Sequence, residues 1–251
     1  MSLESRQQRE LSHWKRWEAK ADAFWGWQTP AGQVRAGRRA TLFRELGAMG
    51  DDSVVLEIGC GTGEFTARIA SHVRQLTATD LTPELLDRAR NRVIRECPGA
   101  PVIFAIQDAM KLQLPDDEFD AVFGCSILHH LDAGVALQEI FRVLKAGGRC
   151  VFSEPNMLNP QIAMQKNVGF IKRRFGETSD EGAFFKYQLK CLLKDAGFSE
   201  ICVRHFDFVH PRIPRALVPL AQSAGQVAES VPGLRALSGS LLVAARKPQG
   251  L

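Results

Sequence analysis

The chain has 251 residues, of which 45% are apolar and 24% charged, with a formal net charge of +4. These proportions suit an ordinary globular protein with one sizeable α/β domain; they exclude a disordered or collagen-like chain, and the charge is too mild for a nucleic-acid-binding signature. The six cysteines are scattered, with no Cys-x-x-Cys pair and no zinc spacing, which reads as free thiols in a reducing compartment.

In chain order, residues 5–25 carry Leu11, Trp14, Trp17 and Ala21 at helical spacing among charges, and so predict an amphipathic helix. A second helix is expected over 32–47, stopped by Gly47. From residue 53 the rhythm changes. Residues 53–58 form a short apolar run ending in glycines, as a buried strand does. A helix over 62–73 and a strand over 76–79 follow. Thr82 then reads as the N-cap of a helix with Pro83 at its first position and Leu85, Leu86, Ala89 and Val93 inward. Strands are expected at 102–106 and 119–125. Asp132 caps the next helix, with Gly147 and Gly148 as its stop, and residues 149–153 make a fifth strand.

The last hundred residues are less regular. Residues 154–182 read as a long loop with one helical piece, 184–196 as a helix ending at Gly197, 199–208 as a strand and 238–246 as a final strand. Strands alternating with helices of 10–15 residues predict βαβ units, a largely parallel sheet and helices on both faces. The expected organisation is an N-terminal helical lid or cap over 1–49, then one domain over 50–251 with insertions at about 154–182 and 207–238.

The first strand runs into Glu57-Ile58-Gly59-Cys60-Gly61-Thr62-Gly63. A glycine turn between strand and helix lets a ligand approach the backbone, at the place where such folds bind nucleotides. The dinucleotide spacing G-x-G-x-x-G fails in both frames, because Glu64 and Thr66 stand where the third glycine belongs. Glu57 would repel a pyrophosphate but would attract an ammonium or a sulfonium. The implied ligand is therefore a cationic nucleoside without phosphates. Asp80, about 20 residues past the turn, is suited to ribose hydroxyls, and Asp108 to an adenine amino group.

The run from Val54 to Gly63 resembles the first motif of the class I S-adenosylmethionine-dependent methyltransferases. Asp80-Leu81-Thr82-Pro83-Glu84-Leu85-Leu86 resembles their acidic second-strand motif. Gln107-Asp108-Ala109, Phe119-Asp120-Ala121-Val122, Leu128-His129-His130-Leu131 and Leu144-Lys145-Ala146-Gly147-Gly148-Arg149 resemble the later motifs of the small-molecule "type 11" branch. The resemblance covers roughly residues 50–155. It implies a Rossmann-like, doubly wound, mostly parallel seven-stranded sheet with an antiparallel last strand. It implies S-adenosylmethionine as cofactor and S-adenosylhomocysteine as product. It further implies that Gly59, Cys60, Gly61 and Gly63 line the cofactor, that Glu57 holds its amino group, and that Asp80 and Leu81 face the ribose. Asp108 and Ala109 then face the adenine, and Ser126 the methionine part.

Methyl transfer from a sulfonium is an in-line displacement, for which alignment alone supplies roughly 7–11 kcal/mol. A base is useful and not obligatory. His129 and His130 follow the fourth strand, and Glu154 follows the fifth, so these three are the catalytic candidates. Asn156 and Tyr187 are further candidates for acceptor contact. No metal site is expected, because the acidic run Asp116, Asp117, Glu118 and Asp120 reads as a solvated turn. Trp14, Trp17, Trp25, Trp27, Arg35, Arg38 and Arg39 form either a lid or a helix packed on the sheet edge with its arginines in solvent. Residues 213–237, with Leu217, Val218, Leu220, Val231, Leu234 and Leu237, are expected to pack, with a greasy acceptor pocket or peripheral membrane contact the less favoured readings.

The expected acceptor is a small or amphiphilic, lipid-like metabolite, and no nucleic-acid partner is expected. The first ten residues do not read as a signal peptide and no apolar run approaches the roughly 20 residues of a membrane span, so a cytoplasmic protein is expected. An RNA methyltransferase is the first rival. The second is a non-catalytic protein that binds S-adenosylmethionine, and the third a nicotinamide-dependent reductase, which the glycine spacing disfavours.

Overall fold

A computed structural model describes residues 25–168 and 182–250. The expected helix at 5–25, with Trp14 and Trp17, lies outside the described residues except for Trp25. Among the described residues, no helix is long and apolar enough to cross a membrane.

Helix α1 (Pro30–Leu46) begins where Thr29 accepts a hydrogen bond from the Gly32 amide and Pro30 supplies a pre-set φ. Then come β1 (Val54–Ile58), α2 (Glu64–Ile69), β2 (Gln75–Asp80), α3 (Pro83–Glu96), β3 (Val102–Ile106) and β4 (Phe119–Cys125). After β4 the chain forms a 3₁₀ turn (Leu128–His130), α4 (Ala133–Val143) and β5 (Leu144–Pro155). The rest comprises α5 (Pro160–Asn167), α6 (Lys186–Asp195), β6 (Ser199–Phe206), α7 (Val218–Ser230) and β7 (Ser240–Arg246).

The seven strands lie in the order β3-β2-β1-β4-β5-β7-β6. The first five are mutually parallel, and β7 runs antiparallel between β5 and β6. The expected Rossmann-like architecture with an antiparallel last strand is therefore present. Alternation along the central strands explains why it has two cores. Leu56, Ile58, Val122, Phe152 and Val243 point to one face, where they meet Leu137 and Ile140 of α4 and Leu189 and Leu193 of α6. Val55, Phe123, Val151 and Leu242 point to the other, where they meet Phe43 of α1 and Phe65 and Ile69 of α2. Both faces are covered, so the strands read as continuous apolar runs.

Several expected boundaries move. The helix expected over 62–73 is α2 followed by a 3₁₀ turn at Ala70–His72. Thr82 holds the N-cap position of α3, but its side chain makes no capping bond; the Thr82 amide instead donates to Asp80 Oδ1 at 2.9 Å. Asp132 does cap α4, accepting from Gly134 and Val135 at 3.2 Å each. The helix stop is not Gly147 and Gly148. It falls at Val143, and β5 starts at once, with Gly147 at φ +82° inside an irregular stretch of that strand. The glycine pair sits where the pairing of β4 with β5 shifts register, a signal that sequence reading takes for a C-cap.

The expectation that residues 213–237 pack holds for Val218 alone of the named set. Val218 joins Ala31 and Val209 in a small core, while Leu217, Leu220, Val231, Leu234 and Leu237 are exposed.

Candidate active site

The strand order reverses direction between β1 and β4, and the crevice outside the carboxyl ends of strands at such a switch is where open α/β sheets bind ligands. A cavity of about 300 Å³ lies there. Its floor is the turn from Ile58 to Thr62 after β1, Asp80 to Thr82 after β2, Gln107 to Ala109 after β3, and Cys125 to Ile127 after β4. Pro155 at the end of β5 and Ser240 at the start of β7 extend it. Trp25, Trp27, Arg35 and Arg39 close it from the N-terminal side.

The glycine turn is shaped by close approach. Gly61 has φ +53°, and a Cβ on it would stand 2.8 Å from the Trp25 ring. Its amide donates to Asp80 Oδ2 at 2.9 Å, while Asp80 Oδ1 accepts from Thr82. One carboxylate thus ties the β1 turn to the β2 turn and faces the cavity. Burial raises the Asp80 carboxyl above its ordinary value, although the amide donors oppose this. Gly63 lies away from the cavity. With φ +78°, its missing Cβ lets α2 approach α3, because that atom would meet the Ala89 Cα at 2.8 Å.

Among the catalytic candidates the geometry separates one from the other two. His130 lines the cavity. His129 and Glu154 do not: both are buried behind the loop after β4, with Glu154 fully inaccessible. The Glu154 carboxylate accepts from the backbone amides of Ile127 (3.0 Å), Leu128 (2.9 Å) and His129 (3.3 Å), and lies 2.8 Å from His129 Nδ1. It holds the loop from behind and touches nothing in the cavity. Burial pushes its pKa to about 7. The His129 and His130 rings lie against each other at a centroid distance of 4.1 Å with their planes tilted by 39°, so the anchored histidine backs the one that faces the cavity. Ser126 opens this loop in the left-handed region, at φ +55°, with its amide donating to the Ser153 carbonyl at 2.7 Å.

The matching family model is described as a methyltransferase domain and spans residues 56–152. The ubiquinone/menaquinone biosynthesis C-methyltransferase UbiE of Pseudomonas putida is 34% identical over 68% of this chain and 73% of its own length. The chain belongs to the class I S-adenosylmethionine-dependent methyltransferases. The O-methyltransferase cnsE of Penicillium expansum is 32% identical over 70% of this chain, which spans only 64% of that relative. In fold, the N-methyltransferase NodS of Bradyrhizobium japonicum, solved with S-adenosylhomocysteine, gives a TM-score of 0.58 at 20% identity, covering 88% of this chain and 89% of its own. These three names cover oxygen, carbon and nitrogen acceptors, so likeness alone leaves the acceptor atom open.

The family's cofactor is S-adenosylmethionine, with S-adenosylhomocysteine as its product. The residues present fit it: a bare glycine turn, a carboxylate at the end of β2, and Asp108 and Ala109 after β3 all line one cavity. Glu57 does not line it. Glu57 is buried, accepts from Thr66 Oγ1 at 2.6 Å, and has its carboxyl pushed up to about 8 by burial and, to a lesser degree, by Asp80.

Of the other acceptor candidates, Tyr187 is 78% exposed on α6, and Asn156 is buried with its amide donating to the Ala236 and Ser238 carbonyls. Neither lines the cavity. Arg39 is the reverse case. Far from standing in solvent, it is buried, pairs with Asp207 at 2.6 Å, and donates to Ser153 Oγ and Ser240 Oγ. Asp207 and Ser240 are not identifiable from the sequence, because their meaning comes from α1, where Arg35 is 172 positions from Asp207 and Arg39 is 201 from Ser240. Arg38 is also paired, through both nitrogens, with Glu229. The acidic run before β4 is engaged in the same way: Asp116 pairs with Arg142, Asp117 with Lys247, and Asp120 with Lys145.

Proposed function

We propose that this protein is an enzyme that transfers the methyl group of S-adenosylmethionine to a small or amphiphilic metabolite. The observation that carries the reading is one cavity lined together by the glycine turn, Asp80, Asp108 and His130. When bound, the cofactor supplies the activated methyl group. The chain supplies alignment. Asp80 orients a ribose, the loop from Ser126 to His130 walls the methionine side, and the apolar side chains of Trp25, Trp27, Ile127 and Ile162 along the cavity limit the entry of water. His130 is placed to accept the proton that an oxygen or nitrogen acceptor releases. His129 and Glu154 position it and do not touch the acceptor.

A small-molecule acceptor is supported by the relatives, which include O- and C-methyltransferases of small metabolites, and by the cavity's modest volume of about 300 Å³. Calorimetry tests the reading: S-adenosylhomocysteine binds to the purified protein, nicotinamide dinucleotides do not, and labelled methyl enters a product in metabolite extract. No uptake of S-adenosylhomocysteine by folded protein would overturn it. A binding protein without turnover would bind the compound and leave every extract unlabelled.

A further inference from the structure

The two faces of α7 are used differently. Its inner face carries Val218 and Gly225, both buried, and Glu229. Val218 packs with Ala31 and Val209, and a Cβ on Gly225 would stand 3.3 Å from Phe208 Cβ. Glu229 is held by Arg38 through both oxygens and accepts from the Asp207 amide. The outer face carries Leu217, Leu220, Ala224, Val227 and Val231. Their spacing of three and four residues makes one apolar stripe along the helix. Leu220 is 68% exposed and Val227 65%, so the stripe faces solvent. Leu234 and Leu237, on the 3₁₀ turn that follows α7, add two more exposed leucines. Single exposed apolar side chains are ordinary, but a continuous row is not.

Charge stands at the two ends of this row and not along it. Arg212 and Arg215 precede it, Arg235 follows it, and all three are exposed. None of them pairs with an acid among the described residues. Between residues 216 and 234 the only charged residue is Glu229, and Arg38 holds it on the inner face.

We infer that this face docks on the surface of an anionic phospholipid bilayer, with the stripe among the upper acyl chains and Arg212, Arg215 and Arg235 against headgroup phosphates. An apolar helix face flanked by cations matches such a surface on both counts. A second copy of the chain fits less well. Two-fold pairing of the stripe with itself sets arginine against arginine, whether the helices run parallel or antiparallel, and the face holds no free acid to offset the repulsion. The surface adjoins the cavity. Asn156 and Asn159 hold the Leu234–Leu237 turn through the Ala236 and Leu237 carbonyls, and Gly239 and Ser240, just beyond it, line the cavity. Docking itself does not depend on the methyl-transfer reading.

The test is co-sedimentation of the full chain with vesicles of phosphatidylcholine alone, or of phosphatidylcholine and phosphatidylglycerol in equal parts, at low and high salt. Wild type is expected to bind the anionic vesicles about ten-fold or more tightly than the neutral ones at low salt, and to lose most of that preference at high salt. The double variants Leu220→Ser with Val227→Ser and Arg215→Gln with Arg235→Gln each lose about ten-fold in affinity for the anionic vesicles. Their melting temperatures and affinity for S-adenosylhomocysteine stay at wild-type values, because all four side chains are exposed. Ile94→Ser, which removes a comparably exposed apolar side chain from α3, changes nothing. Binding of no vesicle, equal binding of both kinds, or vesicle binding that neither double variant weakens overturns the inference. So does an equal loss in Ile94→Ser. A wild-type dimer in solution that Leu220→Ser with Val227→Ser makes monomeric also overturns it, since a second copy then covers the face. A chain that binds anionic vesicles but no S-adenosylhomocysteine would instead strike the methyl-transfer reading and leave this inference standing.

Discussion

The two ends of the cavity are built in opposite ways. The inner end is assembled from short runs, each lying at the tip of one strand: residues 59–62, 80–82 and 107–109. The backbone does much of its work, through amides and missing side chains. The outer end is assembled from α1, the end of β5, the segment after β6 and the first residue of β7, and charged side chains hold it together. A site made of strand tips tolerates change elsewhere in the chain. A site made of distant side chains depends on the whole sheet being closed.

The sharpest way to break the comparison is at Arg39. Arg39→Met leaves Asp207 with Arg35 as its remaining cation and strips the Ser153 and Ser240 hydroxyls of their buried donor, and is expected to cost about 4 kcal/mol of stability. Thermal unfolding reads this, and a loss below about 1 kcal/mol would show that the outer end does not depend on that charge. Glu154→Ala comes next. Three backbone amides lose their acceptor, so a loss of about 3 kcal/mol is expected, together with slower methyl transfer as the loop bearing His130 loosens. Glu154→Gln keeps an acceptor oxygen and recovers most of that stability.

At the inner end, Asp80→Ala is expected to weaken S-adenosylhomocysteine binding roughly thirty-fold, about 2 kcal/mol, because both the ribose contact and the tie to Gly61 are lost. Its melting temperature should change less than that of Arg39→Met; the reverse order would collapse the distinction between the ends. The smallest effect concerns Glu57. Its carboxyl titrates near 8 when folded and near 4.5 when unfolded, so the unfolded chain gives up that proton first as the pH rises. Stability is therefore lost with rising pH through the folded value. Between pH 7 and 8 the ligand-free wild type should lose about 1 kcal/mol relative to Glu57→Gln, read as diverging melting temperatures.

How much of this was legible in the sequence follows from the same contrast. The order of strands, the glycine turn, Asp80 and the Asp132 cap are written in local patterns, so reading along the chain finds them. Arg39 looked like one of several arginines on an amphipathic helix, and nothing adjacent to it marks it as buried. Glu154 is singled out in the sequence for substrate contact by its place after the fifth expected strand, yet it does not line the cavity. That its carboxylate turns inward, onto three amides of a neighbouring loop, is set by the pairing of β4 with β5, which no local pattern contains. The exposed leucines of α7 and its flanks were missed for the converse reason: apolar content predicts burial only when a partner surface exists.

The place of β7 has a consequence for birth of the molecule on the ribosome. It is synthesised after β6 yet must slide between β5 and β6, so in the interval between the synthesis of β6 and that of β7 both of those strands present bare edges. The inner half can close around its ligand while Ser240 is still unmade, whereas Arg39 has to wait for that serine. A nascent chain paused before β7 would be a half-built enzyme with two sticky seams, the stage at which a chaperone has most to protect.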